Sequence, residues 1–556
     1  MESDQLVQCC PEVHPVIVRW LYNLGIYTPE AVDHFLHPNY ERDQHDPMLF
    51  ADMPKVIQRI IQARDQQQSV VIYGDYDADG VCASVVLYTA LRDIGLEHLK
   101  IYLPHRDTEG YGLNAKAVQR FIEEGCQLLI TVDCGISNAT EVAQAAAAGI
   151  DVIVTDHHAE PLVLPTAAYA IINPQIHTDQ YPFRQLAGVG VAFKVAQALG
   201  RHLGREAGYE KWLLDLVAIS TVTDCMPLID ENRCLVHYGL IVLNKTRRPG
   251  IGALIESTHK NNQPVTTSSI SYRLGPWINA AGRIDHANVA VALLLADSVD
   301  TAADSVARLA ATNTDRQQQT EVMYQEAYQQ AQQQTDQPVL YVFGEHWPLG
   351  LVGLVAGKLV NALHKPAFVL TRNRGEISGS GRSVPQLNMI VTLQGMEQLF
   401  SRYGGHAMAC GLTLATHSTV EQFQQHFTTQ AQTALLQPAP ATAVPLTIPI
   451  QLGDINWALV EQLQWLQPFG EGNPEPIFRL DSITLKDYQT VGNTNKHLRL
   501  VVANDNGHIA KAIAFGQGAS SEHLHLDQTL ALITTIGINE WNGHREIQLN
   551  VKEIIY

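Results

Sequence analysis

The stretch Ser69-Val-Val-Ile-Tyr73-Gly74-Asp75-Tyr76-Asp77-Ala78-Asp79-Gly80 decides the reading of the chain. Its first five residues form a short apolar, β-branched run, the composition of a buried strand. Three aspartates at alternate positions follow, then a glycine and a helical pattern from Gly80 to Ile94. A strand that stops on acids and turns into a helix opens an α/β unit. The alternation continues downstream. His98–Leu103 reads as the next strand and Ala115–Glu124 as a helix. Leu128–Val132 is a third strand, followed by an Ala-rich helix to Ala148, and Val152–Thr155 is a fourth. Such a series predicts a parallel sheet with helices on both faces.

Three of these strands end in chemistry. The first runs into Asp75, Asp77 and Asp79, the third into Asp133-Cys-Gly135, and the fourth into Asp156-His157-His158. Open parallel sheets bind ligands at the carboxyl ends of their strands. So many carboxylates on one edge repel one another unless cations neutralise them. Carboxylate mixed with imidazole suits manganese or magnesium better than zinc. Two such ions ~3.5–4 Å apart activate a water and stabilise the leaving oxygen of a phosphodiester. Asp224, at the end of an apolar helix in Ser220-Thr-Val-Thr-Asp224-Cys-Met-Pro227, fits the set. Each feature has an ordinary reading: a helix-end acid for Asp224, a surface pair for His157-His158, a calcium loop for Asp75–Gly80. The calcium loop lacks its closing glutamate, because that position is Val86. Cys134 reads as a packing residue.

Outward from this core, residues 1–45 read as short helices anchored by Trp20, Leu21 and Leu24. Gly188–Leu203 and Lys211–Thr223 are further helices, and 287–337 is a long helical connector, Gln-rich in its second half. A second α/β unit spans 338–436, beginning with the strand Val339–Phe343. The linker 437–446 contains Gln437-Pro-Ala-Pro-Ala-Thr-Ala-Val-Pro445. Residues 447–556 read as all-β, with hairpin turns at Asn506-Gly507 and Asn542-Gly543. A barrel of the OB type fits their size. The expected division is therefore a helical segment (1–45), an α/β catalytic domain (46–286), the connector, the second α/β domain, the linker and the barrel.

The aspartate stretch Asp75–Gly80, Val132-Asp-Cys-Gly135, Asp156-His-His158 and Thr223-Asp224 resemble, in order and spacing, the signature motifs of DHH phosphoesterases. Four stretches narrow the resemblance to the RecJ enzymes: Pro104-His-Arg-Asp-Thr-Glu-Gly-Tyr-Gly112, Leu186-Ala-Gly-Val-Gly-Val-Ala-Phe-Lys194, Asn279-Ala-Ala-Gly-Arg283 and Pro468-Phe-Gly-Glu-Gly-Asn-Pro-Glu-Pro476. Gly404-Gly-His-Ala-Met-Ala-Cys-Gly411 is similar to the signature of the DHH-associated domain. The match runs from about residue 50 to the end of the chain.

The resemblance implies a metal-dependent exonuclease that degrades single-stranded DNA from its 5′ end, in repair and recombination. It implies Asp77, Asp79, Asp133, His157 and Asp224 as metal ligands, with Asp75 and His158 ligating or orienting beside them and Asp156 hydrogen-bonded to an imidazole. The cofactors would be two divalent cations, Mn2+ or Mg2+. Arg106, Ser380 and Arg382 would hold the 5′ phosphate, the last two from a Gly-Ser-Gly turn in Gly379-Ser-Gly-Arg-Ser383. Arg283 would contact the strand near the scissile phosphate, and His406 would sit near the cleft. The ordinary readings are a surface salt bridge for Arg382 and an interdomain ion pair for Arg283. Lys496 and Arg499, with Lys486, Tyr488 and His497, would guide the strand over the barrel. One departure stands out. The family's Trp-His reads Trp347-Pro348 here, with His346 on the other side of the tryptophan.

A hydrolase of short oligonucleotides or cyclic dinucleotides is the alternative, and a non-catalytic replication scaffold a weaker one. The length of 556 residues argues against the first and the complete set of acids against the second. The net charge of −19 argues against broad electrostatic coating of duplex DNA. Eight scattered cysteines without a C-x-x-C pair argue against structural zinc and suit a reducing cytoplasm. No signal peptide or membrane span is expected. A single-chain cleft implies a monomer, and a helicase and a single-strand-binding protein are candidate partners.

Overall fold

The computed structural model describes residues 2–259, 263–437, 447–492, 494–541 and 544–556. The expected linker, apart from Gln437, and the turn at Asn542-Gly543 lie outside the described residues. The chain divides into two compact units. The larger comprises His45–Met226 and Tyr238–Thr442; the terminal unit comprises Met1–Gln44, Pro227–His237 and Ala443–Tyr556.

The larger unit contains two sheets. The first holds β1 (Val70–Gly74), β2 (Leu99–Tyr102), β3 (Leu128–Val132), β4 (Asp151–Thr155) and β5 (Ala170–Ile172). Its order is β2-β1-β3-β4-β5, and every pairing is parallel. β1 and β3 are buried along their whole length, which is why they read as unbroken apolar runs rather than alternating ones. Burying each of their large side chains contributes roughly 1.5–3 kcal/mol. The strand order reverses between β1 and β3. A crevice opens at such a reversal, at the carboxyl ends of the two strands. The residues that follow β1 are Asp75, Asp77 and Asp79, and the residue that follows β3 is Asp133.

Four helices frame that crevice: α1 (Ala78–Asp93), α2 (Gly188–His202), α3 (Leu214–Thr223) and α4 (Gly275–Ile284). α3 is preceded by a 3-10 turn over Tyr209–Leu213, so the expected helix from Lys211 begins tighter than an α-helix. The connector is broken. Asn288–Leu294 forms one helix, and α5 (Val299–Gln332) begins afresh at Ser298, whose hydroxyl forms a capping box with Thr301.

The second sheet holds β6 (Leu340–Gly344), β7 (Ala367–Asn373), β8 (Glu376–Arg382), β9 (Phe400–His406) and β10 (Ala409–Leu414), in the order β6-β7-β8-β10-β9. Only β6–β7 is parallel. α6 (Leu349–Leu363) packs on it. The stretch expected as a Gly-Ser-Gly turn is instead the interior strand β8, with Ser380 paired to Val369 on one side and Gly411 on the other. Its amides serve the ladders. The period of a strand then places the side chains of Ser378, Ser380 and Arg382 on one face.

In the terminal unit, β11 (Thr447–Pro449), β12 (Ile477–Val491), β13 (His497–Ala503), β14 (Ile509–Ala514), β15 (Thr529–Trp541) and β16 (His544–Ile555) form one sheet. Pairing of β12 with β15 closes five of these strands into a barrel. The helices Ser3–Cys9, Pro15–Asn23 and Pro29–Leu36 share its core: Leu6, Trp20, Leu21 and Leu36 are buried in the same cluster as Leu480, Leu500 and Leu532.

Candidate functional site

The site in the larger unit is assembled from the ends of β1, β3 and β4 and the start of α2. Asp77 caps α1, accepting from the amides of Asp79 (2.9 Å) and Gly80 (3.1 Å) through Oδ1. Asp79 is held from two directions. The first amides of α2 donate to it, Gly188 to Oδ2 at 2.7 Å and Val189 to Oδ1 at 2.9 Å. The Ser220 hydroxyl of α3 also donates to Oδ1. A helix N-terminus favours an anion there. Gly188 is required by space, since a Cβ would lie 2.7 Å from Asp133 Cβ.

Asp133 itself has φ +59°, a left-handed conformation that costs a non-glycine residue about 1–3 kcal/mol and concentrates at functional sites. His157 Nε2 lies 3.1 Å from Asp133 Oδ1, 3.6 Å from Asp79 Oδ2 and 3.8 Å from Asp224 Oδ2. Asp156 accepts from Ile136 N–H at 2.9 Å and from His157 and His158 N–H at 2.7 and 3.1 Å. Its Oδ1 also meets His158 Nδ1 at 2.7 Å, the expected acid–imidazole contact. Tyr111 Oη lies 3.3 Å from the His158 ring nitrogens.

The ionisation of the cluster follows from burial and crowding. Asp133 is pushed well above the carboxylate range by burial, then by Asp79, Asp77, Asp75 and Asp224. Burial and Asp77 raise Asp75 to about 8, and burial, Asp79 and Asp77 raise Asp224 to about 9. Burial alone would depress His158, but the Asp156 hydrogen bond and charge outweigh it and raise the ring to about 9. Burial pulls His157 down. Burial likewise works against Asp156, whose bonds to His158 nevertheless hold it below the usual range.

Two buried oxygens, Asp75 Oδ1 and Asp133 Oδ1, accept no well-formed hydrogen bond, the second facing the His157 Nε2 at 3.1 Å. A buried carboxylate oxygen without a donor is costly unless a cation meets it. Three groups of ligand atoms lie within 4.8 Å of one another: Asp75, Asp77 and Asp133; Asp79, His157 and Asp224; and Asp133, His157 and His158. Asp133 and His157 each belong to two groups, so the set suits a pair of divalent ions better than one.

Beside the acids lies a cleft of about 1030 Å3 between the two sheets of this unit. Arg106, Arg283, Ser380, Arg382 and His406 all line it. Arg106 sits 4.1 Å over the Tyr76 ring and donates to the Gly282 carbonyl at 2.9 Å. Arg283 donates to the Gly350 carbonyl at 3.1 Å. Arg382 donates to Ser380 Oγ at 2.7 Å. Gly353 of α6 makes room for that pair, because a Cβ there would lie 2.9 Å from Arg382 Nη2. Among the described residues none of the three arginines has a carboxylate within ion-pair distance, so neither Arg283 nor Arg382 forms the ion pair of its ordinary reading. Burial pushes Arg283 down to about 9 and also lowers Arg382. Cations desolvated without anions are prepared to receive one. His406 stacks on His158, ring centroids 6.3 Å apart.

His346 is exposed and outside the cleft lining, whereas Leu349 and Gly350 line it. Trp347 is buried and donates to Glu326 at 2.9 Å. His346 therefore does not take the place that Pro348 leaves. Cys134 is fully buried, its thiol pushed well up, which fits packing. In the terminal unit, Lys496 and Arg499 are exposed, Arg499 donating to Gln489 at 2.7 Å. Lys486 is paired with Asp527 at 2.7 Å, and the Tyr488 hydroxyl donates to the Leu524 carbonyl. Sequence reading assigned no role to Ser220, Tyr111 or Gly188, although all three lie in quoted motifs. The glycine at the start of the α2 helical pattern was the available signal for Gly188.

A parallel sheet in this order, with aspartates and an Asp-His-His triplet at its switch point and a second sheet facing them across a cleft, defines the DHH class of phosphoesterases. The DHH family, N-terminal domain, matches residues 69–221, the DHHA1 domain 336–433 and the RecJ OB domain 447–553. The single-stranded-DNA-specific exonuclease RecJ of Bacillus subtilis is 34% identical over 99% of this chain and 70% of its own. That of Escherichia coli is 31% identical over 100% of this chain and 98% of its own. The crystal structure of RecJ in complex with Mn2+ from Thermus thermophilus superposes with a TM-score of 0.83 at 26% identity, covering 99% of this chain and 77% of that one. A Mg2+ complex of the same protein superposes with a TM-score of 0.77 at 25% identity. The chain belongs to the RecJ family.

Proposed function

We propose that this protein is a metal-dependent exonuclease that hydrolyses single-stranded DNA from its 5′ end to mononucleotides, in DNA repair and recombination. The observation that carries the reading is the adjacency of two features. Buried carboxylate oxygens of Asp75 and Asp133 that accept no well-formed hydrogen bond lie beside a cleft in which Arg106, Arg283 and Arg382 have no carboxylate within ion-pair distance among the described residues.

Asp77, Asp79, Asp133, His157 and Asp224 would hold two divalent cations, Mn2+ or Mg2+, with Asp75 and His158 beside them. When bound, such ions polarise the phosphodiester and lower the pKa of a water. The remaining work falls to the chain. Asp156 fixes the orientation of the His158 ring at the edge of the cleft through the 2.7 Å contact with Nδ1. Arg106, Ser380 and Arg382 receive the 5′ phosphate, and Arg283 the strand behind it. His406 confines the approach from the other wall. Lys496 and Arg499 guide the strand over the barrel.

In this reading residues 46–286 form the catalytic domain, 338–436 the substrate-binding domain and 447–556 the single-strand-binding domain. No helix among the described residues is long and apolar enough to cross a membrane. None of the cysteines among the described residues is in a disulfide, which fits a cytoplasmic setting. The cleft is completed within one chain, which fits a monomer.

The test is manganese-dependent digestion of a 3′-labelled single strand bearing a 5′ phosphate, with a matching duplex and an Asp133→Ala variant alongside. Progressive shortening of the single strand alone, abolished in the variant, supports the reading. An intact single strand with metal bound overturns it.

A further inference from the structure

Glu109 is a carboxylate in a cleft that otherwise suits anions. It is half-buried, and among the described residues no arginine lies within ion-pair distance of it. A bare negative charge there would repel an incoming phosphate. Its hydrogen bonds explain its presence. Oε1 accepts from the Tyr102 hydroxyl at 2.5 Å, and Oε2 accepts from the His105 N–H at 2.8 Å. Both oxygens are turned back onto the segment that carries them. Burial and the carboxylate itself push the Tyr102 phenol up to about 12, so it stays protonated and keeps donating.

The segment so held is a single helical turn, Arg106–Glu109. The Thr108 and Glu109 N–H groups donate to the His105 carbonyl at 3.2 and 2.9 Å, and His105 Nδ1 accepts from the Asp107 N–H at 3.2 Å. Four residues are too few for a helix to stand by itself. The Glu109 carboxylate closes the turn from within, reaching back to the N–H at its start as the glutamate of a capping box does. It also ties the turn to β2, which ends at Tyr102. A second tie comes from β1. Tyr73, the register partner of Tyr102, donates through its hydroxyl to the Gly112 carbonyl at 2.9 Å. Gly110 and Gly112, at φ +84° and +79°, supply the bends by which the chain reaches that tie.

What the turn presents is Arg106. Its Nε donates to the Gly282 carbonyl and its guanidinium lies over Tyr76, which fixes one edge of the group. Neither Nη has a hydrogen bond among the described residues, and these are the donors an anion would meet. Their aim depends on Gly282 and Tyr76 on one side and on the turn on the other.

We propose that Glu109 is a positioning residue for Arg106: by fastening the Arg106–Glu109 turn to Tyr102 and to the His105 amide, it sets the guanidinium to meet a terminal phosphate monoester. This rests on the reading of Arg106 as a 5′-phosphate ligand and deepens it. Glu109 acts through Arg106 and does not touch the strand. Its negative charge is dispensable and its two contacts are not. A glutamine can make both, with Oε1 accepting from the His105 N–H and Nε2 donating to the Tyr102 oxygen.

The experiment measures KM and kcat of the full chain in Mn2+ on 5′-phosphorylated and 5′-hydroxyl single strands, with thermal unfolding in parallel. Glu109→Ala should raise KM for the phosphorylated strand about 10- to 100-fold, the loss of one charge-assisted contact, while kcat falls less. The hydroxyl strand should change much less. Glu109→Gln should stay close to the unaltered protein. Tyr102→Phe, which removes one tie and keeps the ring, should fall between the two. In an Arg106→Ala background, Glu109→Ala should add less than about 2-fold, because the pair acts as a unit. Glutamine as damaging as alanine, equal losses on both strands, an undiminished loss in the Arg106→Ala background, or a Tyr102→Phe variant with unaltered KM overturns the proposal. An unaltered protein that does not distinguish the two strands would instead overturn the placing of the 5′ phosphate at Arg106 on which it rests.

Discussion

Gln334 is joined to Tyr341 by both ends of its amide: Oε1 accepts the Tyr341 N–H at 3.0 Å, and Nε2 donates to the Tyr341 carbonyl at 2.7 Å. One turn earlier, Gln330 does the same to Phe343, at 3.0 and 2.9 Å. β6 is an edge strand, so these side chains stand where a neighbouring strand would. The Gln-rich end of α5 thereby acquires a physical purpose. The double variant Gln330→Ala/Gln334→Ala loses the four hydrogen bonds to β6 and exposes a strand edge. About 2–6 kcal/mol of stability should go with them, since each bond contributes ~0.5–1.5 kcal/mol. Denaturant unfolding and light scattering at high concentration check this; unchanged stability and no added association would refute it. A glutamate at either position should fail too, because an ionised carboxylate accepts but cannot donate.

What was legible in the sequence and what was not divides along physical lines. β1, β3 and β4 lie within one residue of their sequence reading, because buried parallel strands are short apolar runs bounded by polar turns. The acids and imidazoles were legible because strand ends in an open sheet share an edge. β8 was not, since Gly379, Ser380 and Gly381 look like a turn by propensity, and only the flanking strands make them a ladder. β12 was hidden by Arg479, Asp481 and Lys486 along a strand whose register shifts at two bulges. The grip of Ser220 and of the α2 amides on Asp79 spans more than a hundred residues of sequence, and no local pattern announces such a contact.

The approach of Gly188 to Asp133 gives a second test. Gly188→Ala puts a methyl 2.7 Å from Asp133 Cβ, and buried backbone on both sides leaves it nowhere to go. Overpacking of this kind costs about 1–3 kcal/mol. Because the strain falls between Asp79 and Asp133, activity should drop by at least about 100-fold, as expected when catalytic groups shift by ~1 Å. Parallel measurement of nuclease rate and melting temperature decides the matter. A stable variant with wild-type turnover would show that the close approach is incidental.

Arg382 and Ser380 should report on the 5′ end. Arg382→Ala removes a charged donor that has no carboxylate within ion-pair distance among the described residues, and a charge-assisted hydrogen bond contributes about 1.5–3 kcal/mol. The expected effect is about a 10- to 100-fold rise in KM for a 5′-phosphorylated strand. A 5′-hydroxyl strand should be affected much less. Arg382→Lys should recover only part of the loss, because the ammonium lacks the planar fork. Equal losses on both strands would place Arg382 elsewhere along the DNA.

The crowded carboxylates also make stability without metal depend on pH in a definite direction. Asp75 is raised to about 8 and Asp224 to about 9, above the unfolded value near ~4. A group with a raised folded pKa contributes stability that is full below its unfolded pKa and lost as pH climbs through the folded one. His158, raised to about 9, acts in the same direction above its unfolded value of ~6.5. His157, pulled down by burial, works oppositely, but only below ~6.5, so the window from about pH 7 to 9 is governed by the raised groups. The protein in chelator should therefore melt at a progressively lower temperature between pH 7 and 9. Divalent metal displaces the protons these acids retain, so the Mn2+-induced rise in melting temperature should grow over the same interval. Scanning calorimetry at three pH values with chelator and with Mn2+ measures both. A metal-free melting temperature that is flat or rising would mean that Asp75 and Asp224 are ionised without help, and the argument for cations at this edge would lose its electrostatic basis.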